Sequence, residues 1–369
     1  MQQLNYYVLW KKDSYILGKY MNLYYKKIYS LLCQIKFPSE SYSILDFWEY
    51  KSEEKIKKFL LHPNVSSIIN FISWNQHSND IYYYQRILEW FLAKFISQNY
   101  NYDFSVNSNK LNNNITLTPL AINPYSWNDS HPDHEDNILW SYWDFEVKDW
   151  ISIINASLQI LEVVDEGFHS EISLIIKEIV PLWTSETLNN SWSYKWCIGV
   201  LYVWLLTWVK DPEIFALESI IHEYSHTKLN LVMTFDGVIA CDWKAQYYSA
   251  IRPDARPISW VFLWYHAFAP TLLIIIKAFI SWFIKDKKSW EERIALYYFK
   301  LKFLQKTIKK HAHFSLIWKD INFELDYTVS EIDDLYSKIW VSKSTIMKVY
   351  VWQKNHFQEV NTKYNNLKY

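Results

Sequence analysis

Apolar positions recur at helical spacing through most of the chain. "YYVLWKKDSYILGKYMNLYYKKIYSLL" and "DIYYYQRILEWFLAKFIS" set the pattern within residues 1–100, with few breakers, and predict several helices there. Residues 100–137 interrupt it. "NYDFSVNSNKLNNNITLTPLAINPYSWNDSHPDHEDN" is polar and Asn-rich, reads as a long loop or inserted region, and marks the internal boundary. The helical pattern returns from about 140 and ends near Pro181, and a β-prone run, "CIGVLYVWLLTWV", follows at 197–209. A helix over 211–234 comes next, then a loop rich in Arg and Pro. A very apolar stretch covers 257–284, and Lys-rich helices fill 288–345. The predicted fold is mainly α with a few short strands. It comprises a helical N-terminal region of unassigned role over 1–130, a main domain over 138–345, and a C-terminal tail over 346–369.

The stretch "PISWVFLWYHAFAPTLLIIIKAFISWFI" is long enough to cross a bilayer, for which about 20 apolar residues suffice. It also contains His266, Pro270 and Lys277. A helix buried on every side has the same composition, and that is the preferred reading.

Half of the 369 residues are hydrophobic and 21% are charged, which suits a chain with a sizeable core. A net charge of -1 gives no electrostatic footprint for nucleic acid and no basic bias toward a membrane surface. Cys33, Cys197 and Cys241 are far apart and lack CxxC spacing. That argues against a disulfide scaffold or a cysteine zinc site and favours a reducing cytoplasm. The opening "MQQLNYYVLWKKDSY" lacks the apolar core and cleavage site of a secretory signal, in keeping with a cytoplasmic location.

Composition departs from the ordinary in one respect: the chain has 4 Gly and 21 Trp. Gly is usually about 7% of residues. Trp stands where turn chemistry favours Gly, in "NPYSWND", "NNSWSYKW" and "ISWNQHSND". Gly is favoured there because it takes positive φ without a steric penalty. One expectation is that many of these Trp letters are glycines in the native protein, through a stop-type codon read as Trp on paper and as Gly in the organism. Rich use of Asn, Lys, Ile and Tyr fits the AT-rich genome this requires. The other reading is an aromatic-rich core. Intact Trp192 and Trp260 in a mass spectrum of the native protein would rule out the first.

The chemistry concentrates in "IIHEYSHTKLNLV", residues 220–232. Buried polar groups without partners cost several kcal/mol, so something must hold His222, Glu223 and His226. Asp211-Pro212-Glu213 is a strong helix start, with Asp as cap and Pro in the first turn, and Gly237 is the stop signal. Residues four apart share a helix face at about 6 Å. His222 and His226 therefore point one way and can share a metal ion, with Glu223 beside it. In a zinc peptidase that Glu is the general base acting on metal-bound water. A catalytic metal needs a third protein ligand. His266, on the next apolar helix, is the candidate, against the rival reading of a core histidine bonded to backbone. Asp236 and Asp242 are carboxylate alternatives.

"LESIIHEYSHTKLNLV", followed by "YYSAIRPDARPISWVFLWYHAF", resembles the HExxH-type peptide β-hydroxylases, HExxH motif-containing modification proteins that act beside ribosomally made peptide precursors. The matching positions are His222, Glu223, His226, Lys228 and Leu229, then Tyr248, Arg252, Asp254, Arg256 and Pro257, then Ala267 and Phe268. Ala255 replaces the family's usual Pro, and Trp260 and Trp264 fall where the family tends to have Gly. "EVKDWISIINASLQIL", "IIKEIVPLW" and "HAHFSLIWKDI" extend the likeness over roughly residues 140–330, whereas the first 130 residues match nothing in the family.

The resemblance implies a helical catalytic domain over 138–345 built around the HExxH helix. It implies iron(II) and 2-oxoglutarate as cofactors, and a precursor peptide hydroxylated on a side-chain β-carbon. In that reading His222, His226 and His266 hold iron. Arg256 is the first choice to clamp the far carboxylate of the keto acid, as an Arg fork matches a carboxylate with two parallel hydrogen bonds. Arg252 is second, with Tyr248 beside them. Glu223 is left open as a ligand, a group fixing a histidine, or a base. The alternatives are a zinc metallopeptidase with Glu223 as general base, and an inactive family member that only binds peptide.

Two other groups read as ordinary surface. "SHPDHED" (His131, Asp133, His134, Glu135, Asp136) suits a solvated acidic loop better than a second metal site, and "KKHAHF" (His311, His313) suits a helix end. The chain has no GxSxG, P-loop or GxGxxG motif.

Overall fold

The computed structural model describes residues 14–35, 37, 52–75, 81–97, 109–111, 115–117, 144–182, 191–235, 245–252 and 254–364. Helices dominate these residues, as the apolar periodicity predicts. The described residues divide into two compact units, one within 14–155 and 171–207, the other within 156–170 and 208–369.

The first unit holds α1 (Ser14–Leu32), α2 (Glu53–Leu60), α3 (Pro63–Trp74) and α4 (Ile81–Ser97). It also holds a small sheet of β1 (Asn109–Lys110), β2 (Thr116–Leu117), β3 (Glu178–Leu182) and β4 (Val200–Trp204), in that order. β1 and β2 are antiparallel, while β2–β3 and β3–β4 are parallel. β4 is buried along its whole length, which accounts for its continuous apolar run. The helical pattern expected to reach Pro181 breaks earlier. After α5 (Asp144–Val164), α6 (Glu166–Ile175) ends, and "EIVPL" is strand β3. Pro181 is tolerated there because β2 pairs only with Glu178 and Ile179 among the described residues, so the missing N–H faces no partner on that side.

The second unit carries α7 (Pro212–Met233), α8 (Ile258–Ile280), α9 (Lys287–His311), α10 (Leu316–Lys338) and α11 (Lys343–Lys363). α8 is the hub, packing against α7, α9 and α10. That explains why its sequence is apolar on every side. It is long and apolar enough to cross a membrane by composition, yet most of its apolar stretch is buried within the protein. Residues 346–369, set apart above as a tail, are mostly α11. Val360 on that helix closes a buried cluster with Tyr248 and Ala250, against which Phe303 and Phe357 pack.

One end signal of α7 plays out differently from the expectation. Asp211 precedes the helix but makes no side-chain cap bond to it. Its carboxylate instead accepts from the Lys285 and Asp286 amides, both at 3.0 Å, and from the Trp290 indole at 3.1 Å, tying the start of α7 to the start of α9. Gly237, the expected stop, lies outside the described residues.

Candidate metal centre

The site grows from one face of α7. Glu218, His222 and His226 are spaced by four and form a stripe. At its base the buried Glu218 receives a forked pair of bonds from Arg293 at 2.6 and 2.8 Å and another from the Tyr297 hydroxyl. One turn on, the His222 ring meets Phe268 at 5.1 Å between centroids, and Phe268 in turn meets Tyr297 at 5.1 Å. One turn further stands His226, which is buried.

The two imidazoles converge. Their Nε2 atoms are 3.1 Å apart and their rings are nearly perpendicular, at 87°. Burial, with the Arg252 guanidinium adding to it, pushes His222 down to about 3. Burial likewise holds His226 well below its usual range, helped by His222 and Arg252. Both rings are therefore neutral at neutral pH, the state in which an imidazole offers a lone pair to a metal. A metal ion fits this pair: two uncharged nitrogens on one face, one on buried His226 and one on half-buried His222, at a separation that suits neighbouring ligands with bonds of about 2.0–2.1 Å.

The other predicted residues fall in different places. Glu223 is buried beside the pair on α7. His266 is buried on α8, where burial, Lys228 and His226 together hold it well below its usual range. Among the described residues no three His, Cys, Asp or Glu side chains gather as a metal-holding group. His266 is thus an electrostatic neighbour of His226 without completing a triad in this arrangement. Asp236, Asp242 and the "SHPDHED" group lie outside the described residues.

Of the two arginines, Arg252 is the one whose charge is felt at the pair, adding to burial in holding both histidines down, and it lies 4.8 Å from the centroid of the Trp264 ring. Arg256, the first choice from sequence, is engaged nearby with its own loop. It pairs with Asp254 at 2.8 Å, stacks over Trp260 at 5.5 Å, and exchanges backbone bonds with Tyr247. Tyr248 is buried, and its hydroxyl is committed to α11 through His356 Nδ1 at 2.8 Å and the Gln353 amide. His356 also bonds the backbone of Arg252. Tyr248 and α11 therefore hold the loop that carries Arg252.

From the sequence, Trp264 and Phe268 stand out only as positions of the family likeness, and Glu218 and His356 do not stand out. Glu218 had a readable signal, since it sits one turn before His222 on the same stripe. Trp264 and Phe268 also had one, repeating at four-residue spacing on the apolar helix opposite. His356 had none, because α11 is far away in sequence.

No protein-family model and no curated protein matches the chain. The fold and site define a class by geometry alone: a mainly helical protein whose HExxH helix brings two neutral imidazoles together inside a helical unit.

Proposed function

We propose that this chain is an iron(II)- and 2-oxoglutarate-dependent oxygenase that hydroxylates a side-chain β-carbon of a ribosomally made precursor peptide. One observation carries the reading: the converging, uncharged His222–His226 pair, on which the Arg252 charge acts. His222 and His226 hold the ion, and His266 is the candidate for a third ligand. Arg252, rather than Arg256, pairs with a carboxylate of the keto acid, since its charge is felt at the pair. Glu223, buried next to His222, fixes the histidines or acts as a further ligand. Phe268, backed by Tyr297, lines one side of the site. Bound iron with the keto acid and O₂ supplies the oxidising chemistry that turns C–H into C–OH.

The test is succinate formation. Protein isolated from its own organism should convert 2-oxoglutarate to succinate when given iron(II) and O₂, and His222→Ala should abolish it. Cleavage of peptide bonds with zinc, and no succinate, would move the assignment to the metallopeptidase. Binding of peptide with neither activity would leave only the inactive family member.

A further inference from the structure

Among the described residues two have positive φ: Gly199, at 101°, and Trp282, at 65°. Trp282 follows α8 just past its C-cap, Ser281. The Phe283 amide bonds the Ala278 carbonyl at 3.1 Å and the Trp282 amide bonds the Phe279 carbonyl at 3.3 Å. This is the paired closure in which the residue after the cap takes the left-handed conformation, a place where Gly is the usual occupant. The indole there gains little from packing, as Trp282 is 83% exposed. Trp290, by contrast, is buried and donates its N–H to Asp211, so that side chain is built into the fold.

Trp264 has the opposite environment with the same consequence. Its ring centroid lies 5.5 Å from that of His222 and 5.7 Å from that of His226, with the Arg252 guanidinium at 4.8 Å from the same ring. The indole thus stands against both imidazoles and against the Arg252 guanidinium, filling space that a small ligand held by both would need.

We propose that positions 264 and 282 are glycines in the native protein, and that without the indole the His222–His226 face opens into a pocket for a small carboxylate under Arg252. The inference rests on reading the histidine pair as a ligand-binding centre. A Gly at 264 leaves an imidazole edge on one side and a guanidinium on the other. A Gly at 282 relieves the positive φ.

Two measurements test it on the full chain. Tandem mass spectrometry of the protein from its own organism should read Gly at 264 and 282 and Trp at 290; Trp at 264 or 282 overturns the proposal. In the chain made with Trp, acylation of His222 and His226 by diethyl pyrocarbonate should be slow. Trp264→Gly should speed it about tenfold or more, because a packed indole leaves little room for solvent or reagent, while Trp264→Phe should not. Equal rates in Trp264→Gly and the parent overturn the proposal. If Trp264→Gly does not fold, the mass spectrum alone decides. Histidines that open to the reagent yet bind no added iron(II) would sink the oxygenase reading and leave this inference standing.

Discussion

Trp282 holds a backbone conformation that costs a residue with a Cβ on the order of 1 kcal/mol or more. Replacing it with Gly should raise the stability of the unit to which α8 belongs by about 1 kcal/mol, read as a higher urea midpoint; Trp282→Ala should gain less, as Ala keeps the Cβ. Residues at the candidate metal centre were legible to different degrees. The four-residue spacing placed His222 and His226 on one face, because helix geometry decides that locally. Which of Arg252 and Arg256 has its charge felt at the histidine pair was not legible. It depends on the pairing of Arg256 with Asp254 and on the bond from His356 to the backbone of Arg252, neither of which the motif encodes.

At the scale of elements, β3 begins with a buried charge problem. Burial raises Glu178 to about 8 from an ordinary 4.5, offset in part by the bond from the Asn64 amide at 3.1 Å. A carboxyl whose folded pKa is raised contributes stability that is present below pH 4.5 and lost as pH rises toward 8. Glu178→Gln keeps the hydrogen bond without the titration. It should be more stable than the parent at pH 7 by about 1–3 kcal/mol and equal to it near pH 4, measured by urea unfolding at each pH. On α7 and α9, Arg293→Ala strips the fork from buried Glu218 and should cost about 2–4 kcal/mol, with little rescue by Arg293→Lys because the lost contact is bidentate. The hydrophobic pattern foretold α7 and α8 almost to their ends. It misread 178–182, where a short apolar run with a Pro suits strand or helix equally and only its pairing with β4 decides.

For the molecule as a whole, the unit carrying the candidate metal centre holds three histidines, buried His226 and His266 and half-buried His222, each held below its ordinary 6.5 chiefly by desolvation. Unfolding exposes rings that take up protons more readily than the folded ones do. The stability this supplies is present above pH 6.5 and is lost as pH falls below it, at up to about 1.4 kcal/mol per pH unit for each ring. Metal-free protein should therefore unfold at markedly lower urea at pH 5 than at pH 7. The mainly helical fold was legible because apolar periodicity is a local property. The clustering of β1 to β4 with α1–α4 was not, because it joins residues before 155 to residues after 171.

Everything in the functional account depends on His222 and His226 holding one ion together, and titration of the full-length, metal-free chain with iron(II) under anaerobic conditions tests that directly. The account predicts one ion per chain, with affinity reduced at least tenfold, and on the order of a hundredfold, by either His222→Ala or His226→Ala. Binding that survives unchanged when both are replaced, or no binding by a folded chain whose imidazoles are open to solvent, would contradict it.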